Sequence, residues 1–334
     1  MSNIAVLGAG TWGIALAVML ADNHQVTVWS ALEQEIDDLA KNRRHPFLPD
    51  ATIIPEEMIF EKDIKAALKE KDIVLFAVPS PFVRSTARLA APFITENQIL
   101  VDVAKGIEGD TLFTMTHVIA DELGNDKVPL VALSGPTHAE EVALGLPTAI
   151  VAAGKDEIAV KEVCKTFTTD FMRVYPNKDI LGVELCGAIK NVIALAAGIS
   201  AGLGYGDNAK AALITRGAAE MARLGLAMGC QMQTFAGLAG VGDLIVTATS
   251  VHSRNNRCGT LIGQGVEVGA AVKQVGMVVE GINALSAVMK LARRYEVEMP
   301  IVQAVNDVIN EGLDPRTAVQ NLMQRESKAS EFDD

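Results

Sequence analysis

The segment that most restricts what this chain can become is Gly8-Ala9-Gly10-Thr11-Trp12-Gly13, set between the apolar run Ile4-Ala5-Val6-Leu7 and the apolar residues 14–20. In that order the three pieces predict a strand, a tight turn and a helix. Gly8 permits the turn, Gly10 lets backbone approach a pyrophosphate, and Gly13 lets helix and strand pack closely. The first N–H groups of the helix then remain open to an anion. Glycine turns are common, but this one stands between the two elements its mechanism requires. That placement favours a bound dinucleotide over an ordinary turn.

The same alternation continues. Residues 25–29 read as a second strand and 33–41 as a polar helix. Residues 72–78, 98–103 and 129–133 are short, nearly continuous apolar runs separated by helical segments, the pattern of parallel strands covered on both faces. Residues 148–152 and 171–175 read as further strands around a helix near 156–167, after which strand-like runs cease. The expectation is an α/β, doubly wound N-terminal domain over 1–180 and a mostly α-helical C-terminal domain over 181–324. The polar tail 325–334 is expected to be disordered. At 334 residues the chain is long for a single core, in keeping with two domains.

A net charge of −12 argues against nucleic acid or an anionic membrane as partner, and means that an anionic substrate must be met by a local group of cations. Cys164, Cys186, Cys230 and Cys258 lie far apart, without the spacing of a zinc site, so no metal is expected and reduced thiols are. The chain opens on a strand without the basic start or apolar segment of a secretory signal, and a cytoplasmic protein is expected. Residues 181–203 approach the length of a membrane span, but Glu184, Lys190 and Asn191 inside them would be expensive in lipid. A buried core helix is the better reading.

Lys190 lies in Leu185-Cys186-Gly187-Ala188-Ile189-Lys190-Asn191-Val192, apolar or small on nearly every side. Burial disfavours the charged form of a lysine, which suits acid–base chemistry, whereas a snorkelling lysine at a helix end is the plainer alternative. Ser253-Arg254-Asn255-Asn256-Arg257 precedes a helical stretch. Ser253 could cap it while Arg254 and the backbone N–H groups meet an oxyanion, although such strings also occur in solvated loops. Asp243, beside Gly240-Val241-Gly242, reads equally as a turn residue. Lys105 follows a strand at the end where ligands of such sheets bind, as does Ser134-Gly135-Pro136-Thr137-His138-Ala139. There Thr137 could cap the next helix or touch ligand. His138 and His252 have no neighbours that define a role.

Taken in order, Gly8 to Gly13, Phe76-Ala77-Val78-Pro79-Ser80, Val103-Ala104-Lys105-Gly106, Ser134-Gly135-Pro136-Thr137 and Leu185-Cys186-Gly187-Ala188-Ile189-Lys190-Asn191 resemble the NAD(P)-dependent glycerol-3-phosphate dehydrogenases. Gly206-Asp207-Asn208-Ala209-Lys210-Ala211-Ala212, Gly240-Val241-Gly242-Asp243-Leu244 and Ser253-Arg254-Asn255 extend the resemblance to about residue 300. It implies reversible interconversion of dihydroxyacetone phosphate and sn-glycerol 3-phosphate, feeding phospholipid synthesis, by a homodimer. It implies Lys190 as the catalytic lysine. It further implies substrate contacts from Lys105, Gly135, Thr137, Lys190, Asp243, Thr247, Ser253, Arg254 and Asn255. Thr11, Trp12, Lys105, Ala139, Arg254, Val278 and Glu280 would approach the cofactor beside Gly8, Gly10 and Gly13.

One position departs from the simplest cofactor pattern. Where an acid would bind the NAD ribose, the second strand ends Trp29-Ser30-Ala31. That absence tolerates the 2′-phosphate of NADP, yet no basic residue follows at once to hold it, and Arg43 and Arg44 are distant in sequence. NAD(P)H is expected, with analogy to bacterial members slightly favouring NADPH. The rival readings are a related β-hydroxyacid dehydrogenase, which has no need of the Ser253-Arg254-Asn255 clamp, and a non-catalytic dinucleotide sensor, which has no need of Lys190, Asp243 and Arg254 together.

Overall fold

The computed structural model describes residues 1–326; most of the 325–334 tail lies outside them. The chain divides into two compact units, Met1–Lys105 with Phe113–Glu184, and Gly106–Leu112 with the residues from Leu185 onward.

The first unit is built on eight strands: β1 (Asn3–Leu7), β2 (Gln25–Trp29), β3 (Ile59–Glu61), β4 (Ile73–Phe76), β5 (Ile99–Asp102), β6 (Leu130–Ser134), β7 (Thr148–Gly154) and β8 (Met172–Asn177). They form one sheet in the order β3-β2-β1-β4-β5-β6-β7-β8. The order reverses beside β1, which puts the switch point of a doubly wound sheet at the glycine turn. The β6–β7 pair is antiparallel and the other pairs are parallel. This mixed sheet refines the expected parallel core. The helices of this unit are α1 (Thr11–Ala21), α2 (Glu33–Asn42), α3 (Ile64–Leu68), α4 (Val83–Ala90), α5 (Met115–Leu123), α6 (Ala139–Ala143) and α7 (Glu157–Phe167).

Strand periodicity sorts the core into two faces. Ile4, Val6, Val26 and Val28 bury with Ile14, Leu16 and Leu20 of α1, whereas Ala5, Leu7, Val74 and Phe76 bury with residues of α4 and α5.

The second unit is helical: α8 (Ile180–Gly202, whose first turn belongs to the α/β unit), α9 (Asp207–Ala227), α10 (Met232–Phe235), α11 (Asp243–Thr249), α12 (Arg254–Gly263), α13 (Val268–Val275), α14 (Glu280–Arg294), α15 (Pro300–Asn310) and α16 (Pro315–Met323). Among the described residues α8 is the single helix long and apolar enough to cross a membrane, and 89% of its apolar window is buried inside the protein. It is a core helix. Its contact with α12 is made backbone to backbone. A Cβ on Gly198 would stand 2.1 Å from the Asn256 carbonyl oxygen, and one on Gly259 would stand 2.2 Å from that of Leu195. No larger residue fits at either place.

Candidate active site

In the α/β unit the glycine turn is shaped by three different constraints. Gly8 has φ +122°, a conformation that L side chains rarely adopt, and a Cβ there would meet the Ala77 backbone at 2.7 Å. On Gly13 it would fall 2.2 Å from the Gly8 carbonyl oxygen. Gly10 is different. Its φ is −71°, a Cβ on it would meet nothing within 4 Å, and it is exposed. Neither conformation nor internal packing requires glycine at position 10, and its bare backbone stands open to approach from outside the chain. Helix α1 starts at Thr11 with no side-chain cap and no acid in its first turn. Its free N–H groups and dipole are therefore directed at whatever lies over Gly10. The turn fits the pyrophosphate of a dinucleotide.

Further along the sheet, Lys105 follows β5 and donates from Nζ to the Gly135 carbonyl at 3.1 Å. Thr137 Oγ1 donates to the same carbonyl, also at 3.1 Å. Lys105, Gly135 and Thr137 thus converge on one oxygen. Gly135 has φ +154° and lies against Ile150. Of the two roles left open for Thr137, capping is not taken: the N-cap of α6 is His138, without a side-chain cap bond, and Ala139 opens that helix. The loop that presents Lys105 is braced by Asp102, whose carboxylate accepts the Ala104 N–H at 3.2 Å. Burial, and then the neighbouring Glu184 charge, push the Asp102 carboxyl well above the usual range. Glu184 accepts from Thr114 Oγ1, Thr116 Oγ1 and Thr116 N at 2.7–2.8 Å.

The helical unit gathers a second constellation. Lys190 of α8 is 5% exposed and Asp243 is 1% exposed. Lys190 Nζ donates to Asp243 Oδ1 at 2.5 Å and to Thr247 Oγ1 at 2.6 Å. Thr247 donates in turn to the Asp243 backbone carbonyl at 2.6 Å, which leaves its oxygen lone pair for the lysine. A buried ammonium without a partner would be strongly destabilising, and this pair offsets that cost. The lysine is not snorkelling. Asp243 is delivered by a π-helical turn over Leu238–Gly242 that runs straight into α11; such turns often mark functional sites.

Ser253 caps α12, its Oγ accepting the Asn256 N–H at 3.2 Å. Arg254 is exposed at the first helical position. Asn255 is buried: its amide donates to Asn191 Oδ1 at 2.9 Å and its carbonyl accepts the Gly281 N–H at 2.8 Å. Both ends of Asn255 therefore tie helices together, and Val278 and Glu280 flank the start of α14 beside it. Asn191, which holds Asn255, has no role of its own in the sequence reading. The available signal was a buried carboxamide directly after the lysine. Among the described residues no cluster suits a metal ion, and the four cysteines are free.

The description "NAD-dependent glycerol-3-phosphate dehydrogenase N-terminus" matches residues 3–160, and the corresponding C-terminus matches residues 179–320. The chain belongs to this family. A glycerol-3-phosphate dehydrogenase [NAD(P)+] of Lactobacillus delbrueckii subsp. bulgaricus is 61% identical over 98% of this chain and 99% of its own length. That of Bacillus subtilis is 47% identical over 100% and 97%. In three dimensions, the crystal structure of glycerol-3-phosphate dehydrogenase from Coxiella burnetii superposes with a TM-score of 0.93 at 39% identity, covering 97% of this chain and 99% of that one. The fold is thus shared with the Coxiella structure over nearly the whole of both chains.

Proposed function

We infer that the chain is an NAD(P)H-dependent glycerol-3-phosphate dehydrogenase, reversibly reducing dihydroxyacetone phosphate to sn-glycerol 3-phosphate. The family membership supports the reaction, and one observation carries the residue assignment: the buried ammonium of Lys190 held by Asp243 and Thr247. An ammonium has three N–H donors. Asp243 and Thr247 each accept one of them and hold the ammonium in a fixed place.

A reduced nicotinamide dinucleotide held at the Gly8–Gly13 turn would supply the hydride for the C2 carbon of the ketone. As the C=O electrons move to oxygen, Lys190 gives the developing alkoxide a proton, and Asp243 keeps the amine aimed. Arg254 and the capped start of α12 are the proposed phosphate anchor, since a guanidinium and free helix N–H groups both favour an oxyanion. In the α/β unit, Gly8, Gly10, Thr11, Trp12 and Gly13 are proposed for the pyrophosphate, and Lys105, Gly135 and Thr137 for substrate. Ala139, Val278 and Glu280 are further proposed cofactor contacts.

The phosphorylated product fits a role in supplying a glycerophosphate backbone for phospholipids. Four cysteines that form no disulfide with one another support a reducing, cytoplasmic setting, and a homodimer is proposed by analogy with the family. The test is oxidation of NADH or NADPH, followed by absorbance, with dihydroxyacetone phosphate, unphosphorylated dihydroxyacetone and a β-keto acid side by side. Turnover confined to the phosphorylated ketone is expected; turnover of the keto acid alone would replace this reading with the β-hydroxyacid one.

A further inference from the structure

We propose that Glu35, tethered to the end of β2 by Ser30, selects the cofactor of the α/β unit. Its carboxylate takes the hydroxyls of the adenosine ribose and repels a 2′-phosphate, so NAD(H) binds in preference to NADP(H). The inference rests on reading the glycine turn as a dinucleotide site, and it runs against the slight lean to NADPH drawn from the sequence.

Val26 and Val28 of β2 face the α1 side of the sheet. Continuing the two-residue alternation one step past the strand brings Ser30 to that face, where an acid commonly meets the ribose. Ser30 is buried. Its hydroxyl accepts the Leu32 N–H at 3.1 Å and donates to Glu35 Oε2 at 2.7 Å. The acid missing from the strand is thus delivered from the first turn of α2. The place is next to the turn, because the Gly8 N–H donates to the Trp29 carbonyl at 2.8 Å. His45 links the two, bonding to the Ala9 backbone and sensing the Glu35 charge.

The surrounding cations are otherwise engaged. Arg43 donates to the Pro55 and Met58 carbonyls at 3.1 and 3.0 Å and lies over the Phe60 ring. Arg44 bonds to the Asp50 carbonyl. Lys62 pairs with Asp37 and Glu33. Burial pushes His45 below its ordinary value, leaving it mostly uncharged at neutral pH. A phosphate dianion would therefore meet a carboxylate without a committed cation.

Calorimetric titration of the full chain with NADH and with NADPH, without any ketone, reads the two Kd values directly. At low salt NADH is expected to bind at least about 10-fold tighter, with the ratio shrinking as ionic strength rises because the repulsion is screened. Glu35→Gln keeps an acceptor for Ser30 and is expected to tighten NADPH until the ratio falls to about 3-fold or less, with the thermal midpoint unchanged. Ser30→Ala keeps the carboxylate but frees it, and should give an intermediate ratio. If Glu35→Gln does not fold, Ser30→Ala and the salt dependence of the parent decide the matter. NADPH bound as tightly as NADH by the parent, or a ratio unmoved by these changes, overturns the inference alone. Binding of neither dinucleotide overturns the cofactor reading and this inference with it.

Discussion

The glycine turn and the Lys190 constellation solve their problems with different parts of the polypeptide. The turn is a main-chain site. Six consecutive residues define it, and its chemistry comes from N–H groups that every residue has, approachable because Gly10 carries no side chain over them. The lysine site is a side-chain site. Its ammonium, carboxylate and hydroxyl come from α8 and α11, with Lys190 and Asp243 53 positions apart, and none works without the helical packing that buries them. A main-chain site should therefore fail through added atoms, and a side-chain site through removed ones.

The largest expected effect is on the lysine. In Lys190→Met the amine is removed from a chain of similar shape, and kcat should fall by about 10²–10⁴. Cofactor Kd should change little, whereas the thermal midpoint, measured on the same preparation, should fall because Asp243 is left buried without its cation. Near-wild-type kcat in a folded, cofactor-binding variant would end the catalytic assignment. Arg254→Ala should lower kcat/KM for dihydroxyacetone phosphate by the equivalent of about 1.5–3 kcal/mol, the usual range for a hydrogen bond to a charged group. Unchanged kinetics would leave α12 without its anchoring role.

A further contrast separates the buried Lys190–Asp243 pair from the buried carboxyl of α9 in the same unit. Glu220 of α9 accepts the Ile301 N–H at 2.7 Å and the Val302 N–H at 3.3 Å at the start of α15, and burial raises its carboxyl to about 7 from 4.5. The folded chain holds this proton to higher pH than the unfolded chain does. The group's contribution is thus full below about pH 4.5 and is lost as pH rises to about 7, by on the order of 3 kcal/mol. The stability of Glu220→Gln relative to the parent should rise by that amount across the window, read from denaturation at several pH values. A difference independent of pH would show that Glu220 is not raised.

The smallest effects sharpen the main-chain side. Gly13→Ala drives a methyl into the Gly8 carbonyl and should cost about 1–3 kcal/mol of stability. Gly10→Ala has open space and should leave stability within about 0.5 kcal/mol, yet weaken dinucleotide binding. Equal stability losses at the two positions would mean that Gly10 is also there for the fold.

The same contrast explains what could be read in advance. The strand-turn-helix, the later sheet strands and the helical second unit follow from local periodicity, and the Ser253 cap from its place before a helical stretch. The three-residue β3 is too short to carry a pattern, and nothing local to Thr148–Gly154 reveals that β7 runs antiparallel to β6. The Lys190–Asp243 pair was reachable through the family resemblance, since residues alone left Asp243 as a turn former. Asn191 and Glu35 escaped notice because their meaning lies in partners: Asn255 on another helix, and a serine standing where an acid was sought.

The central claim, that hydride goes to the C2 carbon of dihydroxyacetone phosphate, is tested most directly by isotope tracing. Dihydroxyacetone phosphate is incubated with cofactor deuterated at either face of nicotinamide C4, and the product is analysed by mass spectrometry and NMR. The account predicts sn-glycerol 3-phosphate carrying one deuterium at C2 from one of the two labelled faces, with unphosphorylated dihydroxyacetone labelled about 10²-fold more slowly or worse. Product without deuterium at C2, or equal labelling of the unphosphorylated ketone, would contradict it.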